Sequence, residues 1–206
     1  MSPKSLDDKS IVRAAKKLAK IDPALAKVLK ELGPPSLWKR PANFSTFVRI
    51  ILDQQVSLAA GKSIFNRVRA ACDGRITAAK TLLLSADELR ALGLSRQKAR
   101  YVLTLADDVR AKRFVIGSLK SKSDDEARKL ITSRLGLGDW SADVYLMSAL
   151  SRPDLFPVGD LALIKGMTML DGGKYDTPEK ALKRAERWRP FRSVATRMIW
   201  QLYLSK

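Results

Sequence analysis

Helix-start signals recur along the whole chain, and they constrain the fold more than any other feature of the sequence. Each start has an N-cap side chain followed by an apolar pattern of helical spacing, because the cap oxygen binds a backbone N–H that lacks a partner inside the helix. The one strand-like stretch, Phe114-Val115-Ile116, is too short to build a sheet. The sequence therefore predicts an all-α fold. The predicted N-caps are Asp22, Asn43, Ser57, Ser85, Ser123, Thr177 and Ser193.

The order of these segments also predicts how the helices are grouped. About ten short helices with short connections are typical of a helical bundle. We expect a two-lobed bundle in which the two ends of the chain, about residues 1–55 and 160–206, form one lobe. The middle of the chain, about residues 56–159, is expected to form the other lobe, with a cleft between the two.

A glycine-hydrophobic-glycine turn, Gly136-Leu137-Gly138, lies between two amphipathic helix patterns. Glycine allows the close approach and the unusual backbone angles that point consecutive N–H groups at a phosphate. The next helix, beginning at Trp140 or Ser141, adds a positive dipole end, and Leu137 is expected to fold inward and hold the two helices together. Such a turn positions a protein on nucleic acid without reading its sequence. The alternative is an ordinary helix stop followed by a new helix.

A lone acidic residue, Asp160, follows the turn Phe156-Pro157-Val158-Gly159 and precedes the apolar run LALI. Aspartate is a favoured N-cap, so one interpretation is purely structural. The other is a carboxylate that stabilises positive charge developing on a sugar as a C–N bond breaks, or that orients the attacking water. The two roles are compatible with each other.

Each of the four tryptophans could be a packing residue or a platform for a base. Tryptophan usually belongs to the core, but its electron-rich face also binds a cationic, unstacked base. We interpret Trp140 and Trp200 as candidates for such a platform, and Trp188 and Trp38 as packing residues. Arg192 is expected to pair with a phosphate or with Asp160, unless it is simply solvated.

The balance of charge narrows the choice of partner. There are 39 Lys and Arg residues against 21 Asp and Glu, which gives a net charge of +18. Neutralising phosphates releases counterions and contributes affinity, so this excess favours nucleic acid. A role in solubility is an alternative. An anionic membrane surface is disfavoured, because the positive charges are spread among well-capped helices instead of one amphipathic face.

Two residue types that carry much protein chemistry are scarce or missing. The chain has a single cysteine, Cys72, and no histidine. A disulfide framework, a thiolate zinc site and an iron–sulfur cluster are therefore excluded within one chain, and any chemistry must use Asp, Glu, Lys, Tyr, Ser or water. The chain shows neither an apolar leader segment nor a run of bilayer length. We expect an intracellular protein, in the cytoplasm and nucleoid of a bacterium or the nucleus of a eukaryote.

Several segments together resemble a known family. LGLGDWSADVYL followed by FPVGDLALIKGM resembles the signature of the helix-hairpin-helix (HhH-GPD) DNA glycosylase superfamily. Segments 51–68, 92–106 and 187–200 are similar to its alkylation-repair branch, the 3-methyladenine DNA glycosylase II type. The resemblance covers roughly residues 36–204. The additional N-terminal domain of some members is expected to be absent, because the chain begins almost at the catalytic core.

The resemblance assigns roles by position. Asp160 falls on the catalytic aspartate, and Trp140 and Trp200 fall on aromatic residues that line the base pocket. Gln55 falls on the residue that enters the duplex where the base has left, although it could also be a helix-end amide. The other residues predicted to bind DNA are Ser57, Leu135, Gly136, Leu137, Gly138 and Ser141.

The function implied by the resemblance is removal of alkylated purines, such as 3-methyladenine and 7-methylguanine, from damaged double-stranded DNA by base flipping. Members that also cut the strand carry a Schiff-base lysine two residues after the second hairpin glycine. Here that position is Trp140, and Lys165 lies too far along the chain to replace it. We therefore expect base removal without strand cleavage. The alternatives are a glycosylase for oxidised or deaminated bases and a non-catalytic DNA-binding module.

Few components besides the protein and its DNA substrate are expected to be needed. No metal or organic cofactor is required, although a monovalent cation at the hairpin carbonyls would be compatible with the resemblance. A cationic purine leaves without being protonated, which agrees with the missing histidines. We expect a monomer that binds DNA and no membrane.

Overall fold

Side-chain caps set most of the helix starts in the computed structural model, which describes residues 5–205. Asp22, for example, accepts a hydrogen bond from the backbone N–H of Ala24 at 3.1 Å. Every regular element in the described residues is helical, which confirms the all-α fold. The predicted N-caps that begin a helix are Asp22, Asn43, Ser57, Ser85, Ser123 and Thr177.

Twelve α-helices are found in the described part of the chain, with 3₁₀ turns at Ile116–Ser121 and Glu186–Trp188. They are α1 (Asp8–Ile21), α2 (Pro23–Leu32), α3 (Phe44–Asp53), α4 (Leu58–Ala71), α5 (Ala78–Thr81), α6 (Ala86–Ala91), α7 (Arg96–Arg110), α8 (Asp124–Thr132), α9 (Asp139–Ser148), α10 (Leu161–Asp171), α11 (Pro178–Ala185) and α12 (Arg192–Leu204).

The first compact unit is Arg40–Tyr145. Its helix α3 packs against α4 and α7, and α7 also packs against α5 and α6. Phe47 of α3 stacks on Tyr145 with ring centroids 3.9 Å apart, and Phe114 meets Phe47 edge-on. This aromatic cluster anchors α3 and the helix that follows the glycine turn, so it fixes two of the predicted DNA-binding segments in one unit.

The second compact unit comprises residues 5–39 and 146–205. Helix α12 packs against α1, α2 and α10 around a buried apolar core. Helices α10 and α12 approach closely at Gly166, where an added Cβ would lie 2.6 Å from Ile199 Cγ2 and 3.0 Å from its carbonyl oxygen. Glycine is therefore required for this approach, which sets the position of the start of α10, where Asp160 lies, against α12.

The unit boundaries differ from those predicted. The prediction placed a boundary near residue 55, where the apolar period stops at the QQVS turn. Helix α3 precedes that turn but packs on α4 and α7, so residues 40–55 belong with the middle of the chain. Residues 146–159 belong with the chain ends, because Leu6 N donates to Ser151 O at 2.7 Å and Leu155 N donates to Ser193 Oγ at 2.9 Å.

That last hydrogen bond also explains an incorrect helix start. Ser193 was predicted to cap the final helix, but it is buried inside α12, which begins at Arg192. Its hydroxyl binds the backbone of Leu155 and does not bind its own helix end. None of the helices between residues 5 and 205 combines the length and the apolar character needed to span a membrane.

Candidate functional site

Asp160 lies at the end of a tight turn and begins α10. Its N–H donates to the carbonyl of Pro157 at 3.1 Å, and Gly159 adopts a φ of 89°, which favours glycine. Asp160 Oδ1 accepts the N–H of Leu163 at 2.7 Å, so the carboxylate caps the helix. The structural interpretation of Asp160 is therefore confirmed.

A second donor reaches the same carboxylate from α12. Trp200 Nε1 lies 3.1 Å from Asp160 Oδ1 and donates a hydrogen bond to it. Both residues are half-buried. The structure thus brings together two residues predicted to act on the base and the sugar, although they lie 40 positions apart in the chain. The result is an oriented carboxylate beside an indole ring, the arrangement needed to stabilise a developing cation.

Trp38, predicted to be a packing residue, occupies a different environment. Its side chain is 41% exposed, and its ring centroid lies 6.1 Å from that of Trp200 with an interplanar angle of 41°. Its backbone φ of 44° is in the left-handed region, which for a bulky residue costs about 1–3 kcal/mol. The prediction that Trp38 is a buried packing residue is therefore wrong. Neither a local apolar pattern nor a family motif in the sequence indicates its contact with Trp200.

A buried arginine holds the backbone immediately before Trp38. Arg197 Nε donates to the carbonyl of Leu37 at 3.1 Å, and the same guanidinium donates to the carbonyls of Ser193 and Met147 at 3.2 and 2.7 Å. Burial lowers the pKa of Arg197 to about 10, so the group remains charged at neutral pH. Arg197 was not identified as important by the sequence analysis, since its partners are distant in sequence.

The two remaining tryptophan and arginine predictions in this unit have different outcomes. Trp188 is fully buried and donates to Asp22 at 2.7 Å, which confirms its packing role. Arg192 pairs with Asp154 at 2.9 Å and with Glu186 at 3.4 Å. The expected pairing of Arg192 with Asp160 is wrong, because Asp154 already satisfies most of the guanidinium.

The glycine turn in the first unit has a left-handed backbone at the first of its two glycines. Gly136 has a φ of 82°, and an added Cβ would lie 2.2 Å from the ring of Tyr101. Leu137 is only 3% exposed, which confirms that it folds inward, whereas Leu135 is 40% exposed. A shallow recess of about 440 Å³ is lined by residues 132–138. Both the φ and the close approach require glycine at position 136.

The helix after the turn begins one residue before the predicted start, at Asp139. Trp140 lies in its first turn and is half-buried. Ser141 is only 2% exposed, and its hydroxyl accepts a hydrogen bond from Gln54 at 3.1 Å. The predicted DNA contact therefore does not apply to the Ser141 hydroxyl, which serves an internal hydrogen bond.

The turn between α3 and α4 is exposed. Gln55 has a φ of 54°, and Ser57 caps α4 by accepting the N–H of Ala60 at 3.2 Å. Two apolar side chains on either side of Ser57 are also exposed, Val56 at 40% and Leu58 at 62%. No motif in the sequence singles them out, although exposed apolar residues beside a turn that is predicted to bind DNA are the type that inserts between base steps.

Two side chains fasten this turn to the rest of its unit. Gln54 Nε2 donates to the carbonyl of Gly136 at 2.9 Å, in addition to Ser141. Lys98 Nζ donates to the carbonyls of Leu52 and Gln54 at 2.9 and 2.7 Å. Burial lowers the pKa of Lys98, an effect that nearby Asp53 opposes. Gln54 thus joins the exposed Gln55 turn directly to the glycine hairpin.

The predicted site residues therefore form two groups. Asp160 and Trp200 lie in one unit, together with Trp38. The other unit holds the hairpin, Trp140 and the Gln55 turn. No cluster of three or more His, Cys, Asp or Glu residues suitable for a metal ion occurs within residues 5–205. The carbonyl of Gly136, one of the oxygens considered for a monovalent cation, accepts the amide of Gln54.

Comparison with known families explains this combination of hairpin and carboxylate. A family model described as "HhH-GPD superfamily base excision DNA repair protein" matches residues 48–190, more than half of the chain. The chain belongs to this superfamily. The match to the HhH-GPD family includes the Gln55 turn, the glycine hairpin and Asp160, and it confirms the family predicted from those motifs.

Individual HhH-GPD proteins are similar over most of their length. The chain is 25% identical to the alkylbase DNA glycosidase-like protein mag2 of Schizosaccharomyces pombe, over 95% of each chain. A solved structure of DNA-3-methyladenine glycosidase from Bacillus halodurans has a TM-score of 0.78 and 26% identity, covering 98% of this chain and 93% of that chain. The 3-methyladenine DNA glycosylase Mag1 of S. pombe, solved in complex with abasic DNA, has a TM-score of 0.80 and 24% identity, covering 91% and 95%. This last likeness shows the fold alone.

Proposed function

We propose that this HhH-GPD protein is a DNA glycosylase that hydrolyses the N-glycosidic bond of alkylated purines, of the 3-methyladenine and 7-methylguanine type, in duplex DNA. The observation that carries the proposal is the Asp160 carboxylate, held at the start of α10 by Leu163 N and Trp200 Nε1. The names of the similar proteins, which refer to alkylbase and 3-methyladenine glycosidases, support the choice of lesion.

The reaction mainly requires the protein to position the damaged nucleotide next to one anion. A purine alkylated at N3 or N7 already carries positive charge, so the bonding electrons of the C1′–N bond pass to the ring and leave it neutral. The sugar becomes cationic as that bond breaks, and an anion close to C1′ stabilises it. Water then forms the new C1′–O bond and releases a proton to the carboxylate or to solvent. In this proposal Asp160 is the anion, and Trp200 both orients it and contacts the base.

Base removal alone is part of the proposal. Trp140 occupies the position at which strand-cutting members carry a Schiff-base lysine. Lys165 is an exposed residue of α10, five positions after Asp160. The product is therefore an intact strand with an abasic site.

The remaining roles follow from the same proposal. The hairpin at 135–138 binds the phosphate backbone through its N–H groups, and the exposed Gln55 fills the gap left by the extruded base. The resemblance also assigns Trp140 to the base pocket. The enzyme is proposed to act as a monomer. Because its proposed substrate is chromosomal DNA, it works in the compartment that holds the chromosome. A monovalent cation at the hairpin would use carbonyl lone pairs that Gln54 leaves open.

The first prediction concerns Asp160. Duplex DNA methylated with dimethyl sulfate is incubated with wild type and with Asp160→Asn, and the released bases are identified by chromatography. Asparagine is as good an N-cap as aspartate, so the helix start is retained. We expect 3-methyladenine and 7-methylguanine from wild type, and a rate lower by about 10²- to 10³-fold for the variant.

Matched controls separate the alternatives. Asp87→Asn makes the same chemical change in the first turn of α6 and is expected to retain wild-type rates, since Asp87 is an exposed residue that pairs with the exposed Arg90. Equal release by wild type and Asp160→Asn would remove Asp160 from the mechanism. Faster release of uracil or 8-oxoguanine from duplexes that contain those bases would favour a different lesion class, and no release from any of these substrates would leave a DNA-binding module. Strand cleavage without alkali or heat would contradict base removal alone.

A further inference from the structure

Trp38 combines three properties that a packing residue does not need. It is 41% exposed, its backbone lies in the left-handed region, and its ring contacts Trp200, which binds the carboxylate of Asp160. Residues held in rarely populated backbone conformations cluster at ligand sites, where the surrounding structure enforces the conformation. The surrounding structure therefore holds the Trp38 side chain exposed and in contact with Trp200.

The enforcing contacts come from the buried Arg197. Its Nε binds the carbonyl of Leu37, so the peptide that enters Trp38 is fixed to α12. The same helix carries Trp200, three residues later in the chain. One helix thus supplies one indole directly and holds the backbone of the other, which keeps the two rings in a defined relation.

The geometry of the pair limits how it could meet a base. The ring centroids are 6.1 Å apart and the planes are tilted by 41°, so the rings touch each other and leave no room for a base between them. They form instead one extended aromatic surface. Trp38 also borders an open recess of about 390 Å³, whose lining includes Asp7 and Asp8 together with the cationic Lys39.

We propose that Trp38 is a base-binding, specificity-determining residue, whose indole extends the surface of Trp200 and favours cationic purines over neutral ones. The inference rests on the proposed glycosylase function. An indole face attracts a cation more strongly than a neutral ring of the same shape. Trp38 therefore selects by charge, whereas Asp160 acts on the sugar.

The test compares a charged and an uncharged lesion. Single-turnover rates and apparent affinities are measured for duplexes that contain 7-methylguanine, which is cationic, or hypoxanthine, which is neutral. We expect Trp38→Ala to lower the efficiency on 7-methylguanine by about tenfold and on hypoxanthine by less than about threefold. Trp38→Phe should lie between wild type and Trp38→Ala, because phenylalanine binds cations less well than tryptophan.

The control removes an exposed apolar side chain from the same unit. Leu204 is 57% exposed at the end of α12, and Leu204→Ala is expected to leave both efficiencies unchanged. An equal loss on the two lesions would mean that Trp38 only supports Trp200, and it would overturn the inference. Unchanged efficiencies would overturn it as well. If thermal unfolding shows that Trp38→Ala does not fold, the same comparison of the two lesions is made with Trp38→Phe.

A binding measurement keeps this inference separate from the proposed function. Quenching of tryptophan fluorescence is titrated with 7-methylguanosine, which is cationic, and with guanosine. We expect tighter binding of the cation by wild type, a weaker preference in Trp38→Phe and loss of the preference in Trp38→Ala. If wild type releases no base from methylated DNA but retains the preference, the proposed function fails and the assignment of Trp38 stands. If wild type shows catalysis but no preference between the nucleosides or the lesions, only the assignment fails.

Discussion

Asp22 illustrates at the scale of single residues how one carboxylate stabilises both a helix and the core. It caps α2 through Ala24 N, and its other oxygen accepts Trp188 Nε1 and pairs with Arg184, each at 2.7 Å. Asp160 is built in the same way, with a local cap and the distant donor Trp200. The caps were predictable because they involve neighbouring residues, whereas the distant donors depend on how the helices pack.

We predict that Asp22→Asn destabilises the protein by about 2 kcal/mol at neutral pH, because it removes a charge-assisted hydrogen bond from Arg184, which keeps only its second carboxylate partner, Asp171. Burial by itself raises the pKa of Asp22, but hydrogen bonds from Trp188 and Arg184 bring it below its ordinary value. A lowered pKa in the folded state stabilises the protein above the unfolded pKa, and the effect is lost as pH falls through the folded value. Urea unfolding at about pH 7 and about pH 3 measures the difference between variant and wild type.

The difference should therefore shrink at the lower pH, where Asp22 begins to be protonated. Asp8→Asn changes an exposed aspartate of α1 and should have little effect at either pH. A difference for Asp22→Asn that does not change with pH would show that the lost ion pair is not its source.

At the scale of elements, contacts between helices decide which segments act together. Gly166 lets α10 approach α12, which brings Asp160 to Trp200. In the other unit, Gln54 connects the α3–α4 turn to the hairpin. The bounds of most helices were predictable from caps and stops. The partners of each helix were not, and Ser193 was mistaken for a cap because its partner Leu155 lies 38 residues away.

We predict that Gln54→Met, which keeps the length of the side chain but removes the donor, weakens binding to duplex DNA with an abasic-site analogue by about fivefold. The variant loses both hydrogen bonds, to Gly136 and to Ser141, that hold the Gln55 turn and the hairpin in register. Each such bond is worth about 1 kcal/mol to stability, and we expect about half of the combined loss to appear in DNA affinity. Fluorescence anisotropy measures the dissociation constant.

Gln201→Met is the matched control, since Gln201 Nε2 donates to the carbonyl of Leu32 at 2.7 Å in the other unit. It should lower stability to a similar degree and leave DNA affinity unchanged. Equal loss of affinity in both variants would indicate a general effect of stability and contradict a specific link between turn and hairpin.

At the scale of the whole molecule, the net charge of +18 governs association with a polyanion. Each phosphate neutralised by Lys or Arg releases counterions, so affinity falls linearly with salt on a double-logarithmic plot. The charge is a property of composition and required no knowledge of the fold.

We predict a steep salt dependence for binding of an undamaged duplex. Contact with six phosphates would reduce the affinity by about 10³-fold between 50 and 200 mM salt, as expected for this class of interaction. Anisotropy titrations across that range provide the slope. An affinity that hardly changes with salt would contradict phosphate contacts as the main source of binding.

The sequence by itself determined the helical class, most helix starts, the hairpin turn with its inward Leu137, the family and the sign of the charge. These properties depend on interactions within a few residues, on motifs, or on composition alone. Only the tertiary structure decided that α3 belongs with the middle of the chain, that Ser141 is internal and that Trp38 lies against Trp200. These relations arise from side chains that meet across distant parts of the chain, where the packing of helices, and not local backbone chemistry, selects the partner.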